Sequence, residues 1–199
     1  MEYLTDIAAL EAAYGTPAEA SLIKVADRLT PSYRKWIAAA RFCVLSTVGP
    51  EGVDGSPRGD DGPVVMELNP STLAIPDWRG NNRIDSLRNI VRDPRVSLMF
   101  MVPGSDNVVR VNGTAGVTLD EDLRARFDDK GRMPRAVIVV RIGEVYSQCA
   151  RAIMRANLWQ GMERVAVPSV GEMLAELKDG FDGTSYDAEW GDRAKTTMW

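Results

Sequence analysis

The stretch Ile75-Pro76-Asp77-Trp78-Arg79-Gly80-Asn81-Asn82-Arg83-Ile84-Asp85-Ser86 concentrates groups that bind phosphate. Arg79 and Arg83 can each grip phosphate oxygens through paired N–H donors. Gly80 lets the backbone approach a ligand closely. Asn81 and Asn82 can donate amide hydrogens or cap a helix. The hydrophobic pattern predicts a strand before this stretch and a helix over residues 82–92 after it. A helix start carries unpaired N–H groups and a partial positive charge. The loop therefore reads as an anion cradle, with Asp77 entering it and Ser86 in the first helical turn. The same residues also suit a plain polar loop whose Asn caps the helix and whose arginines lie in solvent. A second segment, Ser56-Pro57-Arg58-Gly59-Asp60, ends a predicted strand beside a glycine. Arg58 is placed there either to reach into a cleft or to form a surface salt bridge on an edge strand.

Composition narrows the chemistry. The chain has no histidine, which removes Ser-His-Asp triads, Cys-His pairs, His zinc sites and a His haem ligand. Carboxylates, Arg, Lys, Ser, Tyr, Cys or a bound cofactor remain. The formal charge is -4 and no polybasic run occurs, so a nucleic-acid partner is not expected. Apolar stretches such as residues 136–140 fall far short of the roughly 20 residues that span a bilayer. The start, Met1-Glu2-Tyr3-Leu4-Thr5-Asp6, lacks the basic and apolar regions of a signal peptide. The expectation is a cytoplasmic protein with no membrane partner. Cys43 and Cys149 form no CxxC pair and are expected as buried free thiols.

These residues must be held by a scaffold, and 199 residues with 45% hydrophobic content suit one domain with its own core. Residues 1–40 read as a helical extension. Leu4, Ile7, Ala8 and Leu10 give one apolar face, Thr16-Pro17-Ala18-Glu19 a capping-box start, and Thr30-Pro31 another helix carrying Tyr33, Trp36, Ile37 and Ala40. All are expected to pack on the main domain. Residues 41–150 read as strands over 42–48, 53–57, 64–68, 73–76, 96–102, 108–119 and 136–146. The helix over 82–92 presents Ile84, Leu87, Ile90 and Val91 inward, and another opens at Asp120-Glu121-Asp122. Residues 151–199 add helices over 151–159 and 169–178, then a tail holding Phe181, Tyr186, Trp190 and Trp199. Strands joined by short turns argue for a mainly β, antiparallel barrel with peripheral helices, not a doubly wound sheet. No GxGxxG follows a strand.

Three motifs in this order, Ser56-Pro57-Arg58-Gly59-Asp60, Arg79-Gly80-Asn81-Asn82-Arg83 and Arg110-Val111-Asn112-Gly113, resemble the pyridoxamine 5'-phosphate oxidase-like FMN-binding proteins, in particular their branch of unassigned substrate. The likeness covers residues 41–159 and includes Asp93-Pro94-Arg95-Val96-Ser97-Leu98. It implies an antiparallel Greek-key split β-barrel and a homodimer with two FMN sites at the subunit interface. It places Arg41 to Ser46 along the flavin and its ribityl chain, and the backbone of Ile75 and Pro76 against the ring. Asn82 and Arg83 match paired basic positions that hold the phosphate. One of that pair is Asn here, and Arg79 is the expected source of the missing charge. Val108 or Val109 falls where the oxidase has a glutamine, with Arg110 as the expected replacement.

With FMN carrying the redox chemistry, the protein supplies orientation and electrostatics. With FMN bound, Arg79 and Arg83 are expected to neutralise the phosphate, helped by Ser86 and the helix end, and Arg58 to sit near the ring or phosphate. Trp78 and Trp159 are expected either to stack on the ring or substrate or to pack an interface. The oxidase's C-terminal Trp and Arg segment and its substrate-binding His and Arg pattern are missing, so pyridoxamine 5'-phosphate is not the expected substrate. A flavin-dependent oxidoreductase of another small molecule is the first reading, and a non-catalytic flavin carrier or sensor the second. A deazaflavin-dependent reductase ranks third, because that cofactor's long acidic tail wants an extended basic groove and the loop is compact.

Overall fold

A computed structural model describes residues 1–129, 131–161 and 166–197; the predicted tail residue Trp199 lies outside them. Seven strands, β1 (Phe42–Gly49), β2 (Gly52–Gly59), β3 (Met66–Asn69), β4 (Thr72–Asp77), β5 (Arg95–Met101), β6 (Val108–Thr118) and β7 (Ala136–Gln148), form one sheet. Its order is β2-β1-β5-β6-β7-β4-β3, and every neighbouring pair is antiparallel. Strands β2 and β3 end the order without pairing to each other, so the barrel is split rather than closed.

Alternation builds the core. Cys43, Leu45 and Thr47 of β1, Val96, Leu98 and Phe100 of β5, and Val109 and Val111 of β6 are buried on one face. Burying each such aliphatic or aromatic side chain contributes about 1.5–3 kcal/mol. The β6–β7 register shifts between Asn112 and Gly113. A Cβ on Gly113 would collide with the Arg141 carbonyl oxygen, which explains the glycine of the Arg-Val-Asn-Gly motif.

Of the N-terminal helices, α1 (Ile7–Tyr14) and α2 (Glu19–Ile23) bury no residue, whereas α3 (Pro31–Ala38) packs Trp36 and Ile37 on the core. The expected packing therefore holds for α3 alone. Four of the eight α1 residues are alanine, leaving little side chain to bury. Ala18, not Thr16, is the N-cap of α2, so the expected capping box does not form. Tyr33 on α3 staples the extension down: its hydroxyl donates to the Lys24 carbonyl (2.7 Å) and accepts from the Ser147 amide (3.1 Å).

Helix α4 (Asp85–Arg92) starts three residues later than predicted, because Asn82 (φ 62) and Ile84 (φ 53) are left-handed. Its inner face also differs. Ile84 and Val91 are exposed, while Ser86 and Asn89 are buried beside Ile90. The polar pair is satisfied: Ser86 Oγ donates to Asp54 (2.7 Å) and Asn89 Nδ2 to Thr47 Oγ1 (3.1 Å). Peripheral helices α5 (Glu121–Ala125), α6 (Arg151–Ala156), α7 (Val170–Leu177) and α8 (Gly183–Thr197) complete the described fold. Helix α6 stops short of the predicted residue 159 because Asn157 turns left-handed (φ 48). Of the tail's aromatic residues, Tyr186 and Trp190 lie on α8. No described helix is long and apolar enough to cross a membrane.

Both cysteines are free, but only Cys43 is buried; Cys149 lies just past the end of β7 and is exposed. Burial pushes the Cys43 thiol from 9.0 up to about 12. A raised folded value means that stability present below about pH 9 is lost as pH climbs towards 12, because the unfolded chain ionises first. At about pH 8 a maleimide should label one thiol in the native protein and two after unfolding. Rapid labelling of both native thiols would contradict this burial.

Candidate functional site

A cavity of about 940 Å³ opens at the split, between the end of β2, the exit of β4, the loop 78–84 and the start of α4. Nine of the twelve predicted site residues line it: Arg58, Ile75, Pro76, Asp77, Arg79, Asn81, Asn82, Arg83 and Ser86. Residues far apart in sequence thus converge, which favours a ligand site over two unrelated polar loops.

Local sequence explains the shape of the loop. Pro76, the last residue but one of β4, lies beyond the last residue paired to β3, a position that tolerates a missing donor. Asn81 Oδ1 accepts the Arg83 amide (3.0 Å), the side-chain turn that Asn favours. Asn82 and Ile84 are then left-handed. For β-branched Ile84 that conformation costs on the order of 1–3 kcal/mol, strain of a kind that clusters at ligand sites. Ile84 is also the N-cap of α4 and makes no side-chain cap bond. Among the described residues, the first-turn N–H groups of α4 therefore have no side-chain cap at the edge of the cavity.

Arg58 and Asp77 form the tightest polar contact of the site. Arg58 Nη1 donates to Asp77 Oδ1 at 2.5 Å, and the two side chains are only 18% and 15% exposed. Arg58 Nε is buried with no partner. Such an orphaned donor suits a ligand oxygen or ring acceptor. Both sequence readings of Arg58 thus meet in one residue, which sits on an edge strand in an ion pair and also lines the cleft. Trp78 Nε1 donates to Asp60 (2.9 Å), tying the loop to the chain just beyond β2. Ser86 is placed as expected, but its hydroxyl donates to Asp54. Arg83 Nε pairs with Asp85 (2.8 Å) on an exposed edge.

Three predicted residues do not line this cavity. Arg41 is exposed before β1, and its carbonyl accepts the Asp60 amide (3.0 Å). Ser46 points to the sheet face opposite Thr47, in register with Ser97 and through it with Asn112. Arg110 lies on that same outer face, 5.6 Å from the Tyr146 ring centroid, with Ser97 Oγ at 3.4 Å. Trp159 is also elsewhere, donating from Nε1 to the Ser105 carbonyl (2.8 Å). Among the lining residues outside the predicted set are two distant in sequence, Arg135 before β7 and Trp190 on α8. Neither lies in a local motif; only the β4–β7 register and the path of the tail bring them there.

The lining fits a phosphate-bearing, partly apolar ligand. Arginines and uncapped amides gather at the loop, and Val64, Ile75 and Pro76 supply an apolar wall. The Arg58–Asp77 pair should also hold the walls together. Arg58→Ala leaves a largely buried carboxylate unpaired, and urea denaturation should show about 1–3 kcal/mol lost stability. Unchanged stability would show that the walls are held elsewhere.

The sequence pattern of the family described as Pyridoxamine 5'-phosphate oxidase matches residues 29–149. No curated protein matches the chain significantly. Among solved structures, HupZ of Group A Streptococcus is 14% identical and covers 69% of this chain and 99% of its own, with TM-score 0.50. A Lactobacillus delbrueckii protein assigned provisionally as a pyridoxamine 5'-phosphate oxidase is 27% identical, covering 61% and 95%, with TM-score 0.49. An F420 reductase is 20% identical, covering 59% and 98%, with TM-score 0.44. The HupZ likeness bears on the fold alone. The family match spans more than half of the chain, and its first residues coincide with the approach to α3 and its last with the end of β7. Split sheet, loop and match together identify the chain as a member of the pyridoxamine 5'-phosphate oxidase family.

Proposed function

We propose that this chain is an FMN-binding flavoprotein that acts as an oxidoreductase on a small molecule other than pyridoxamine 5'-phosphate. The family's fold binds flavins. The observation that carries the FMN reading is the convergence of Arg58, Arg79 and Arg83 with the uncapped start of α4 in one cavity. When bound, FMN would supply the electron transfer. Arg79 and Arg83 would donate hydrogen bonds to its phosphate, and the Asn81 and Asn82 amides would add neutral donors. Arg58, held by Asp77, keeps Nε free for a ligand acceptor. The apolar side of Ile75 and Pro76 would carry the ring and exclude water from it.

Homodimerisation belongs to the same proposal. Ser46 and Arg110 share the outer sheet face, away from this chain's own cavity, so they would reach a flavin only across a subunit interface. One observation favours the second reading, a carrier or sensor without turnover. Of the five carboxylates lining the cavity, Asp54, Asp60, Asp77 and Asp85 are already engaged by Ser86, Trp78, Arg58 and Arg83, which among the described residues leaves Asp61 alone as an unengaged base. Reoxidation of the reduced protein by oxygen and candidate acceptors separates the two readings.

The test is spectroscopic. Purified protein, or apoprotein given FMN, should show the visible bands of bound flavin. A double Arg79→Ala, Arg83→Ala variant should lose them while keeping its melting temperature. A colourless protein that takes up no added FMN would refute the proposal.

A further inference from the structure

We infer that Arg135 is a cation of the phosphate site, the second, beside Arg79, whose charge no carboxylate among the described residues offsets. This inference rests on the FMN reading and deepens it. The β4–β7 register pairs Pro76 with Val137 and Asp77 with Ala136, and the Arg135 amide donates to the Asp77 carbonyl at 3.1 Å. Residue 135 is therefore locked beside the point where the chain leaves β4 for the loop. Its side chain reaches across, and Nη1 donates to Asn82 Oδ1 at 2.7 Å. The pair is 53 residues apart in sequence, so no local motif contains it.

Charge accounting singles out this residue. Four arginines line the cavity: Arg58, Arg79, Arg83 and Arg135. Arg58 is neutralised by Asp77 and Arg83 by Asp85. Among the described residues, Arg79 and Arg135 are the cavity arginines without an acidic partner. A phosphate monoester carries about 1.5–2 negative charges at pH 7, which two unneutralised guanidinium groups balance.

Arg135 also orients its neighbour. Asn is among the few residues that adopt the left-handed conformation readily, and Asn82 does so here (φ 62). With Oδ1 held by Arg135, the Asn82 NH2 group is left to donate to a phosphate oxygen. The guanidinium keeps four further N–H donors for the same anion.

Titration of the apoprotein with FMN and with riboflavin, followed by flavin fluorescence, tests the inference. Riboflavin lacks the phosphate, so it reports ring binding alone. Arg135→Ala should weaken FMN about tenfold or more, as loss of a charged hydrogen-bonding partner implies, with riboflavin affinity unchanged. Arg135→Lys should recover most of the FMN affinity. Arg135→Gln, which can still donate to Asn82 without the charge, should not. Equal weakening of both ligands, or full recovery with Gln, would make Arg135 a brace of the loop and overturn the inference while leaving the FMN reading intact. Unchanged FMN affinity in Arg135→Ala would do the same. Failure of the wild-type protein to bind FMN would remove both. Matching melting temperatures establish that the variants are folded.

Discussion

The Arg58–Asp77 ion pair joins two strands that the backbone leaves apart. Strand β2 is one edge of the seven-stranded sheet, while β4 lies next to the other edge. No ladder of hydrogen bonds closes that seam. Side chains bridge it instead: Arg58 to Asp77, Trp78 to Asp60, and Ser86 of α4 to Asp54 of β2. A small barrel closed by strand pairing has an interior just wide enough for its own side chains or one small ligand. Closure by a few polar contacts leaves room for a ligand and lines that room with charge. The cost is a partly desolvated ion pair, whose favourable geometry must offset the water it loses.

The loop depends on this closure. Strand β4 ends at Asp77, the Asn81 side chain turns the backbone, and two left-handed residues delay α4 until Asp85. Each step moves the helix start and its unpaired amides relative to the arginines. Thr47 and Asn89 fix the other end of α4 through a buried hydrogen bond, and a Cβ on Gly49 would collide with the Asn89 carboxamide. The helix is therefore anchored in the core along its length, and its N-terminus is positioned by packing rather than by a cap. A rigid element carrying the edge of a site gives more precise geometry than a free loop.

The strands, α3 and the cavity loop were legible in the sequence, because period-two burial and turn residues are local signals. Phe100, Leu45 and Val111 alternate into the core as their spacing predicts. The inner face of α4 was misread. Hydrophobicity pointed to Ile84 and Val91, but Asn89 and Ser86 are buried because distant partners satisfy them. Sequence spacing does not reveal such partners. The same limit hid Arg135 and Trp190, which enter the cavity through strand register and the course of the tail. Arg110 and Ser46 were assigned to the flavin by resemblance, yet they occupy the sheet face away from the cavity. A reading by resemblance merges surfaces that one chain keeps separate.

The central claim is that the split of the sheet holds the phosphate end of a flavin mononucleotide. A crystal structure of the protein grown with FMN tests it most directly. The account predicts phosphate oxygens within hydrogen-bonding distance of Arg79 and Arg83, with the ring running along Ile75 and Pro76. FMN bound with its phosphate away from the 78–84 loop, or at another surface, would contradict it.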